Sequence, residues 1–201
     1  MKKLILFLSL LLLVSGVQAQ GFNSKFMITA KVGMSYNIDE SINRPTFLGS
    51  QIDYFVGKQT LIGLNLNYLR YYEPSFFAVP LYYGSKYLYE TKWEWYSLTI
   101  SDKLLFSQNK FSPFVKLGIG LYIPRKTYPY PTEGNLIATK KEYGKTCPGY
   151  NLGMGVQYRV WEVFSLQIEG TINHIFNKAK NISSARYFTF ANLELGLSII
   201  F

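Results

Sequence analysis

The sequence predicts an all-β fold, a barrel of eight antiparallel up-and-down strands that crosses a membrane. Apolar residues recur at every second position over most of the chain, which is the period of a strand with one apolar face. After residue 20, no apolar run approaches the roughly 20 residues that a membrane-spanning helix needs. Aromatic residues make up 17% of the chain, and they favour strands and the interfaces of a membrane.

The first segment of the chain has the parts of an export signal. A lysine-containing start precedes residues 4–14, which are almost entirely apolar. Val17 and Ala19 then supply the residues at −3 and −1 that a signal peptidase requires. We expect cleavage between Ala19 and Gln20, with residues 1–19 as the signal peptide. A membrane anchor is the alternative, but this apolar run is only about half the length of a span.

The remainder of the chain has the length of one domain. We expect residues 20–25 to form a short periplasmic segment and residues 26–201 to form the barrel. The single cysteine, Cys147, excludes a disulfide scaffold. The chain has 21 Lys and Arg against 12 Asp and Glu, but we predict no nucleic-acid partner because the compartment offers none.

Eight segments show the strand period, and two kinds of connection join them. The predicted strands are 26–38, 48–56, 62–68, 93–106, 113–123, 150–160, 164–173 and 192–201. The predicted short turns are 57–60, 107–110 and 161–163, and the long connections are 39–46, 73–92, 124–148 and 177–186. Bacterial outer-membrane barrels have short periplasmic turns and longer extracellular loops. We therefore expect both termini in the periplasm and the long connections outside the cell.

The distribution of glycine indicates which face of the strands points inward. Only Gly170 lies on the apolar face, whereas eight strand glycines lie on the polar face: Gly33, Gly49, Gly63, Gly118, Gly120, Gly153, Gly155 and Gly196. Residues without side chains are needed where strands crowd a narrow axis. The polar face is therefore predicted to point inward and the apolar face to meet lipid, which disfavours the alternative of a soluble periplasmic barrel.

Aromatic residues near the strand ends indicate two girdles at the membrane interfaces. One rim is predicted to hold Tyr36, Tyr68, Trp95, Tyr122, Tyr150 and Tyr187. The other rim is predicted to hold Phe26, Tyr54, Phe106, Tyr158, Phe164 and Phe201.

The last strand has apolar residues at alternate positions before a terminal aromatic residue: Leu195, Leu197, Ile199 and Phe201. This run resembles the C-terminal signal that outer-membrane assembly machinery recognises, and the resemblance implies that machinery as a partner during biogenesis. With this run, the export signal and the strand pattern, the chain resembles the small barrels of the OmpX/OmpA-barrel and PorT-like outer-membrane superfamily. The resemblance implies a place in the bacterial outer membrane. Its members include structural proteins, adhesins, secretion-machine parts and a few lipid-modifying enzymes, so fold does not fix function.

Charged residues on the inward face are balanced in sign. They are Lys31, Lys116 and Arg159 with Asp53, Glu169 and Glu194. Balanced charges in a sealed interior must be paired, which predicts a structural charge network. A proton or ion path is the alternative, but eight strands leave room only for side chains. Bulky residues of the same parity are expected to help fill the lumen: Phe55, Leu69, Tyr71 and Phe114.

Two residues that could carry chemistry lack suitable partners in the sequence. His174 is the only histidine, and its parity places it on the lipid side near the outer rim. Lipid-modifying enzymes of the resembling superfamily place a catalytic His close to a Ser at this depth, but here Phe176 follows two residues on. Cys147 is expected in a loop. We therefore predict no catalytic, cofactor-binding or metal-binding residue, and no enzyme.

Asp102 shares the parity of Leu98 and Ile100, which would expose its carboxylate to lipid at a cost of a few kcal/mol. A β-bulge near Ser101 would turn Asp102 inward, and this is what we expect.

The long connections carry most of the specificity that the sequence indicates. Their cations are Arg125, Lys126, Lys140, Lys141, Lys145, Lys178, Lys180 and Arg186. Cations just above the outer leaflet suit the phosphates of lipopolysaccharide, although a solvated surface is the alternative. Tyrosines in two of these connections suit protein or glycan ligands. The predicted function is a structural or surface-interaction barrel. The alternatives are a subunit of a secretion or envelope machine and a lipid A-modifying enzyme.

Overall fold

A computed structural model describes five ranges of the chain, and every regular element within them is a β-strand. The described ranges are 26–37, 43–77, 87–131, 137–176 and 187–201. The predicted signal peptide, its cleavage site at Ala19 and Gln20, and residues 20–25 lie outside them. No helix in the described ranges is long and apolar enough to cross a bilayer.

The described ranges contain nine strands, and every pairing between them is antiparallel. They are β1 Phe26–Asn37, β2 Asn43–Phe55, β3 Thr60–Phe77, β4 Tyr87–Leu105, β5 Phe111–Pro131, β6 Ile137–Tyr143, β7 Cys147–Arg159, β8 Phe164–Phe176 and β9 Tyr187–Ile200. Eight of them form a ring in the order β4-β3-β2-β1-β9-β8-β7-β5, and a β4–β5 pairing closes it. The predicted eight-stranded barrel is confirmed. Strand β6 pairs only with β5 and stands outside the ring.

The two ends of the barrel differ in their connections. Three short turns, 56–59, 106–110 and 160–163, lie at one end, which we call the turn end. Phe26 and Phe201 also lie there, and the Phe201 amide donates to the Phe26 carbonyl at 2.8 Å. The opposite end is called the loop end. That the turn end faces the periplasm remains a prediction.

The inward and outward faces follow the predicted alternation. Lys31 is 2% exposed inside the barrel, whereas its neighbour Val32 is 54% exposed on the outside. A side chain at Gly118 would meet Asn151, and one at Gly196 would meet Gln167, because both glycines face a filled interior. A side chain at Gly170 would have nothing nearer than 3.9 Å. The assignment of the polar face to the interior is therefore confirmed.

Strands β3, β4 and β5 have 18, 19 and 21 residues, whereas the other strands of the ring have 12 to 14. Their loop-end parts form a sheet with β6, which we call the wall: residues 70–77, 87–95, 123–131 and 137–143. Strand β2 still pairs with β3 at Arg70 and Tyr72, and the wall continues beyond that point without β2. Most of the predicted loops 73–92 and 124–148 is therefore strand. The prolines at 124, 129 and 131 favour a loop in the sequence, but β5 stays paired through all three.

Candidate functional site

The interior of the barrel is filled in three layers. Apolar side chains close the turn end: Met27, Phe55, Leu61, Leu105, Phe114 and Ile200. A second apolar and aromatic layer closes the loop end: Leu69, Tyr71, Trp93, Trp95, Tyr122, Cys147, Ile175, Phe188 and Phe190. Polar and charged side chains lie between these layers and form what we call the charged layer. The four bulky residues predicted to fill the lumen, Phe55, Leu69, Tyr71 and Phe114, are all buried.

Four of the six predicted inward charges meet in the charged layer. Lys31 Nζ lies 2.6 Å from Glu169 Oε2 and 3.3 Å from Glu194 Oε2. Lys116 forms an ion pair with the other oxygen of Glu169. All four side chains are at most 4% exposed. Strands β1, β5, β8 and β9 each supply one of them, and both ion pairs of Glu169 reach past the neighbouring strand of the ring.

The other two predicted charges lie apart from these ion pairs. Asp53 is fully buried, and Gln51 Nε2 donates to both of its oxygens at 2.6 and 2.8 Å. Arg159 is half-buried at the turn end of β7. Within the described residues it makes no ion pair, and its Nε has no hydrogen-bond partner.

The expected β-bulge near Ser101 is wrong. Strand β4 pairs without a shift of register with β3 and β5 through this region. Asp102 therefore faces outward, between Ile62 and Leu117, and is half-buried. The same regular register turns Lys103 inward, where it is 1% exposed.

Lys103 is a buried cation that the sequence reasoning missed, because the supposed bulge obscured its parity. Its ammonium donates to Gln157 at 3.2 Å and to Gln167 at 2.9 Å. It also lies 4.1 Å from the centre of the Phe114 ring, a cation–π contact. Strict alternation along β4 would have found it.

Two aromatic residues predicted for the girdle that also includes Tyr36 and Tyr68 point into the barrel instead. Trp95 and Tyr122 are each 3% exposed, because they share the parity of the lumen on β4 and β5. Tyr122 donates to Asn173 Oδ1 at 3.1 Å. Cys147, expected in a loop, is the first residue of β7 and is buried in the same aromatic layer. A cavity of about 20 Å³ beneath this layer has room for roughly one water molecule.

The outer face of the wall carries a group of polar residues that we call the rim cluster: Arg70, Lys92, Glu94, Arg125 and Thr127. Register places Arg70, Glu94 and Arg125 side by side on β3, β4 and β5, and Lys92 beside Thr127 in the next row. Glu94 accepts a hydrogen bond from Tyr68 at 2.7 Å and lies 2.8 Å from Lys92 and 3.3 Å from Arg125. Of these five residues, only Arg125 was predicted from the sequence.

The inner face of the wall holds two of the predicted loop cations, Lys126 and Lys140. Lys126 lies 5.0 Å from the ring centre of Trp93 and 5.3 Å from that of Tyr128. Tyr128 donates to Glu142 at 2.6 Å, and Lys140 lies 3.0 Å from the same carboxylate oxygen. The Tyr128 hydrogen bond and the Lys140 ammonium lower the pKa of Glu142, and the bonds to Glu142 raise the pKa of Tyr128 and that of Lys140.

The remaining predicted site residues lie on the surface or outside the described ranges. Lys141 and Lys145 are exposed at the loop end. Lys178, Lys180 and Arg186 lie outside the described residues. The predicted assembly signal faces outward on β9 and the terminus, and Leu195, Leu197, Ile199 and Phe201 are 38 to 64% exposed.

His174 faces outward near the loop end, as its parity predicted. Its Nδ1 lies 3.1 Å from the Thr189 hydroxyl on β9, and its ring packs against Tyr150 and Phe176. The sequence reasoning missed Thr189, because this partner is its neighbour across the strands and not along the chain. In the described ranges, no group of three or more His, Cys, Asp or Glu side chains could hold a metal ion.

An apolar outer surface, a polar interior and a closed ring of strands define a membrane-spanning β-barrel. The model of the outer membrane protein beta-barrel domain family matches residues 5–201, and the chain belongs to this family. It is therefore a protein of the bacterial outer membrane. Comparison with curated proteins gives no significant match.

Two solved structures show the same fold. Neisserial surface protein A is 17% identical, with a TM-score of 0.55, and the match covers 88% of this chain and 96% of that one. A major outer membrane protein from Thermus thermophilus is 13% identical, with a TM-score of 0.58, over 90% of this chain and 100% of that one. At these identities the likeness concerns the fold alone.

Proposed function

We propose that this barrel acts through its loop-end surface, in a structural or surface-interaction role, and not by conducting solutes. The filled lumen is the observation that supports this most directly. Two apolar layers close the interior on either side of the charged layer. The cavity beneath the aromatic layer has room for only about one water molecule. What the protein does beyond spanning the membrane would then depend on what it presents outside the cell.

The wall is the recognition element in this proposal. It rises on one side of the ring and holds four of the predicted cations, and the connection 144–146 after it holds a fifth. These five are Arg125, Lys126, Lys140, Lys141 and Lys145. With the loop end outside the cell, these residues would stand above the outer leaflet, where lipopolysaccharide phosphates lie. Those on the outer face of the wall, Arg125 and Lys141, would contact the leaflet and are worth about 1 kcal/mol each, whereas Lys126 and Lys140 face the inner side of the wall. Lipopolysaccharide is the partner we propose, with assembly machinery a partner only during biogenesis.

Planar-bilayer recording tests the sealed lumen. We expect purified protein to give no steady conductance, because the charged layer and both apolar layers fill the interior. A general porin reconstituted in the same membranes is the positive control. Reproducible channels formed by the parent protein would contradict the proposal. A changed conductance in a Lys116→Gln variant that is folded by gel mobility would show that ions pass the charged layer.

Shortening the wall tests the recognition element. A variant in which a tight turn replaces residues 126–142 keeps the whole β5–β7 pairing and the β4–β5 pairing as far as Glu94 and Arg125. We expect it to fold, as judged by heat-modifiable gel mobility, and to bind lipopolysaccharide more weakly than the parent. Binding equal to the parent's in a folded variant would contradict the role of the wall. Loss of a co-purifying protein instead would favour the alternative of an envelope-machine subunit.

A further inference from the structure

The outer face of β3, β4 and β5 is ordered in rows that change character toward the loop end. Leu66, Leu98 and Leu121 lie side by side in one row and are 55%, 44% and 50% exposed. The next row contains the Tyr68–Tyr96 pair, with ring centres 5.2 Å apart. Such an order, apolar and then tyrosine, marks the upper edge of a lipid-facing band.

The rim cluster begins in the row directly beyond this edge. Arg70, Glu94 and Arg125 form that row, and Lys92 and Thr127 stand in the row above it. Each row rises about 5 Å toward the loop end, from a strand rise of about 3.3 Å per residue and a typical tilt. The backbone of Arg70 and Arg125 is therefore about 10 Å above the leucine row, at the depth of lipid headgroups.

The charges of the rim cluster are unbalanced. Three cations, Arg70, Lys92 and Arg125, surround one acid, Glu94, which leaves an excess of positive charge. The ion pairs of Glu94 are to Lys92 and Arg125. Arg70 makes no ion pair with any described residue, and its guanidinium lies 5.8 Å from the centre of the Tyr72 ring. The cluster therefore has spare positive charge on its outward face.

The rim cluster also has buried polar atoms that make no hydrogen bond within the described residues. They include Arg70 Nε and Thr127 Oγ1, and also Arg125 Nε, whose contact with Glu94 at 3.3 Å is an ion pair only. A buried donor without an acceptor is unfavourable unless a ligand supplies one. All three lie on the same face of the wall and in adjacent rows. An anion with several acceptor oxygens would satisfy them together, and a phosphate has this form.

The side of the ring without the wall, formed by β1, β2, β7, β8 and β9, does not repeat this arrangement. Outward-facing residues near the loop ends of β1, β2, β7, β8 and β9 include Tyr36, Thr46, Tyr150, His174 and Thr189. Among the outward residues at this level of those five strands whose side chains the structure describes, none is Lys or Arg. Positive charge at the headgroup level is thus confined, for the described side chains, to the side that carries the wall.

We propose that the rim cluster binds a phosphate group of an outer-leaflet lipid, lipopolysaccharide, on the wall side of the barrel. Arg70 and Arg125 donate to the phosphate oxygens from either side of Glu94, and Lys92 and Thr127 contact it from above. Lys126 and Lys140 do not take part, because they face the inner side of the wall. This inference rests on the proposed function, since it requires the loop end to face the outer leaflet.

Two variants that remove equal charge from opposite faces of the wall test the proposal. The rim variant is Arg70→Gln with Arg125→Gln, and the matched control is Lys126→Gln with Lys140→Gln. Each is reconstituted in nanodiscs of phosphatidylethanolamine, and bound lipopolysaccharide is measured at low salt and at raised salt. Folding of both is checked by heat-modifiable gel mobility.

We expect the rim variant to bind lipopolysaccharide about thirtyfold more weakly. It loses two cations, each worth about 1 kcal/mol at an anionic surface, and each 1.4 kcal/mol is about tenfold in affinity. The control should stay within about twofold of the parent, and the difference should shrink as salt rises. A third variant, Arg70→Lys with Arg125→Lys, should show an intermediate loss, because lysine lacks the fork that contacts two phosphate oxygens.

Three outcomes would overturn the site. Equal losses of binding in the rim variant and the control would mean that cations on the inner and outer faces of the wall contribute alike to binding. Parental binding by the rim variant, while the shortened wall variant loses binding, would leave the proposed function standing and the site wrong. Equal binding to dephosphorylated lipopolysaccharide would exclude phosphate as the recognised group. Absence of lipopolysaccharide binding by the parent would instead reject the proposed partner itself.

Discussion

The charged layer inside the barrel and the rim cluster on the wall each contain three cations, but they differ in how those cations are balanced. Lys31, Lys103 and Lys116 share the interior with three buried acids. In the rim cluster, Glu94 is the only acid for three cations. Interior cations find acceptors across the lumen, mostly on strands that are not their neighbours in the ring, whereas Arg70 Nε finds none among the described residues.

This difference follows from what surrounds each group. A charge sealed between apolar layers has lost its water, so an unpaired ion there costs several kcal/mol and the fold must supply its partner. A charge at the headgroup level can take its partner from the membrane. Balanced interior charge is therefore evidence for a structural role, and unbalanced charge beside a lipid-facing band is evidence for a ligand.

The largest effect that this comparison predicts is at Glu169. Its two oxygens pair with Lys31 and Lys116, so Glu169→Gln would leave two buried ammonium groups short of negative charge. We expect the free energy of unfolding to fall by about 3–5 kcal/mol. The shift is measured by urea unfolding in phospholipid vesicles, with gel mobility reporting the folded fraction.

The control is Glu162→Gln, because Glu162 is exposed in the turn between β7 and β8, and we expect a change within about 0.5 kcal/mol. Adding Lys116→Met to Glu169→Gln should recover part of the lost stability, because it removes one of the unpaired charges. A Glu169→Gln protein as stable as the parent would show that the ion pairs do not hold the interior together.

A smaller effect is expected where a methyl group is added to the crowded inner face. A Cβ at Gly33 would overlap the Leu193 carbonyl and the backbone of Glu194, whereas one at Gly170 would meet open space on the outer face. Gly33→Ala should therefore destabilise by about 1–3 kcal/mol. Gly170→Ala is the matched control and should not. Equal unfolding midpoints for the two variants would count against the crowding of the interior.

Removing cations from the rim cluster should change the free energy of unfolding less than either change inside the barrel. In neutral lipid without lipopolysaccharide, Arg70→Gln with Arg125→Gln should alter the free energy of unfolding by less than about 0.5 kcal/mol, the usual range for surface changes. The same unfolding assay as for Glu169→Gln gives the comparison. A loss as large as that of Glu169→Gln would mean that the rim cluster, like the charged layer, holds the fold.

Strand period and glycine placement were enough to predict the eight-stranded ring and its inward face. Period two assigns each side chain to a face, so Lys31, Glu169 and Glu194 could be placed inside together. The prediction failed at Asp102, where the cost of a lipid-facing carboxylate suggested a bulge. The structure keeps the register regular, and the error removed Lys103 from the predicted interior.

The rim cluster could be predicted only in small part, because Arg70 and Arg125 lie beyond the predicted ends of their strands. The cluster depends on strand pairing that continues past those ends. The segments 73–92 and 124–148 were predicted as loops, so Arg70, Glu94 and Arg125 were never aligned in one row. A cross-strand partner such as Thr189 for His174 is hidden for the same reason. Period gives the face of a residue, but only register gives its neighbours.

The smallest effect we predict is local to the β5–β6 hairpin of the wall and depends on pH. Glu142 is bonded to Tyr128 and Lys140, and these bonds lower its pKa below the ordinary value of 4.5. The stability that they give the hairpin is therefore present above pH 4.5 and is lost as pH falls through the lowered pKa. Amide exchange of residues 137–143, corrected for its intrinsic pH dependence, should be slower at about pH 7 than at about pH 3. Glu142→Gln should abolish the difference. A hairpin equally protected at both pH values would show that its strand pairing alone, and not this side-chain group, fixes the wall.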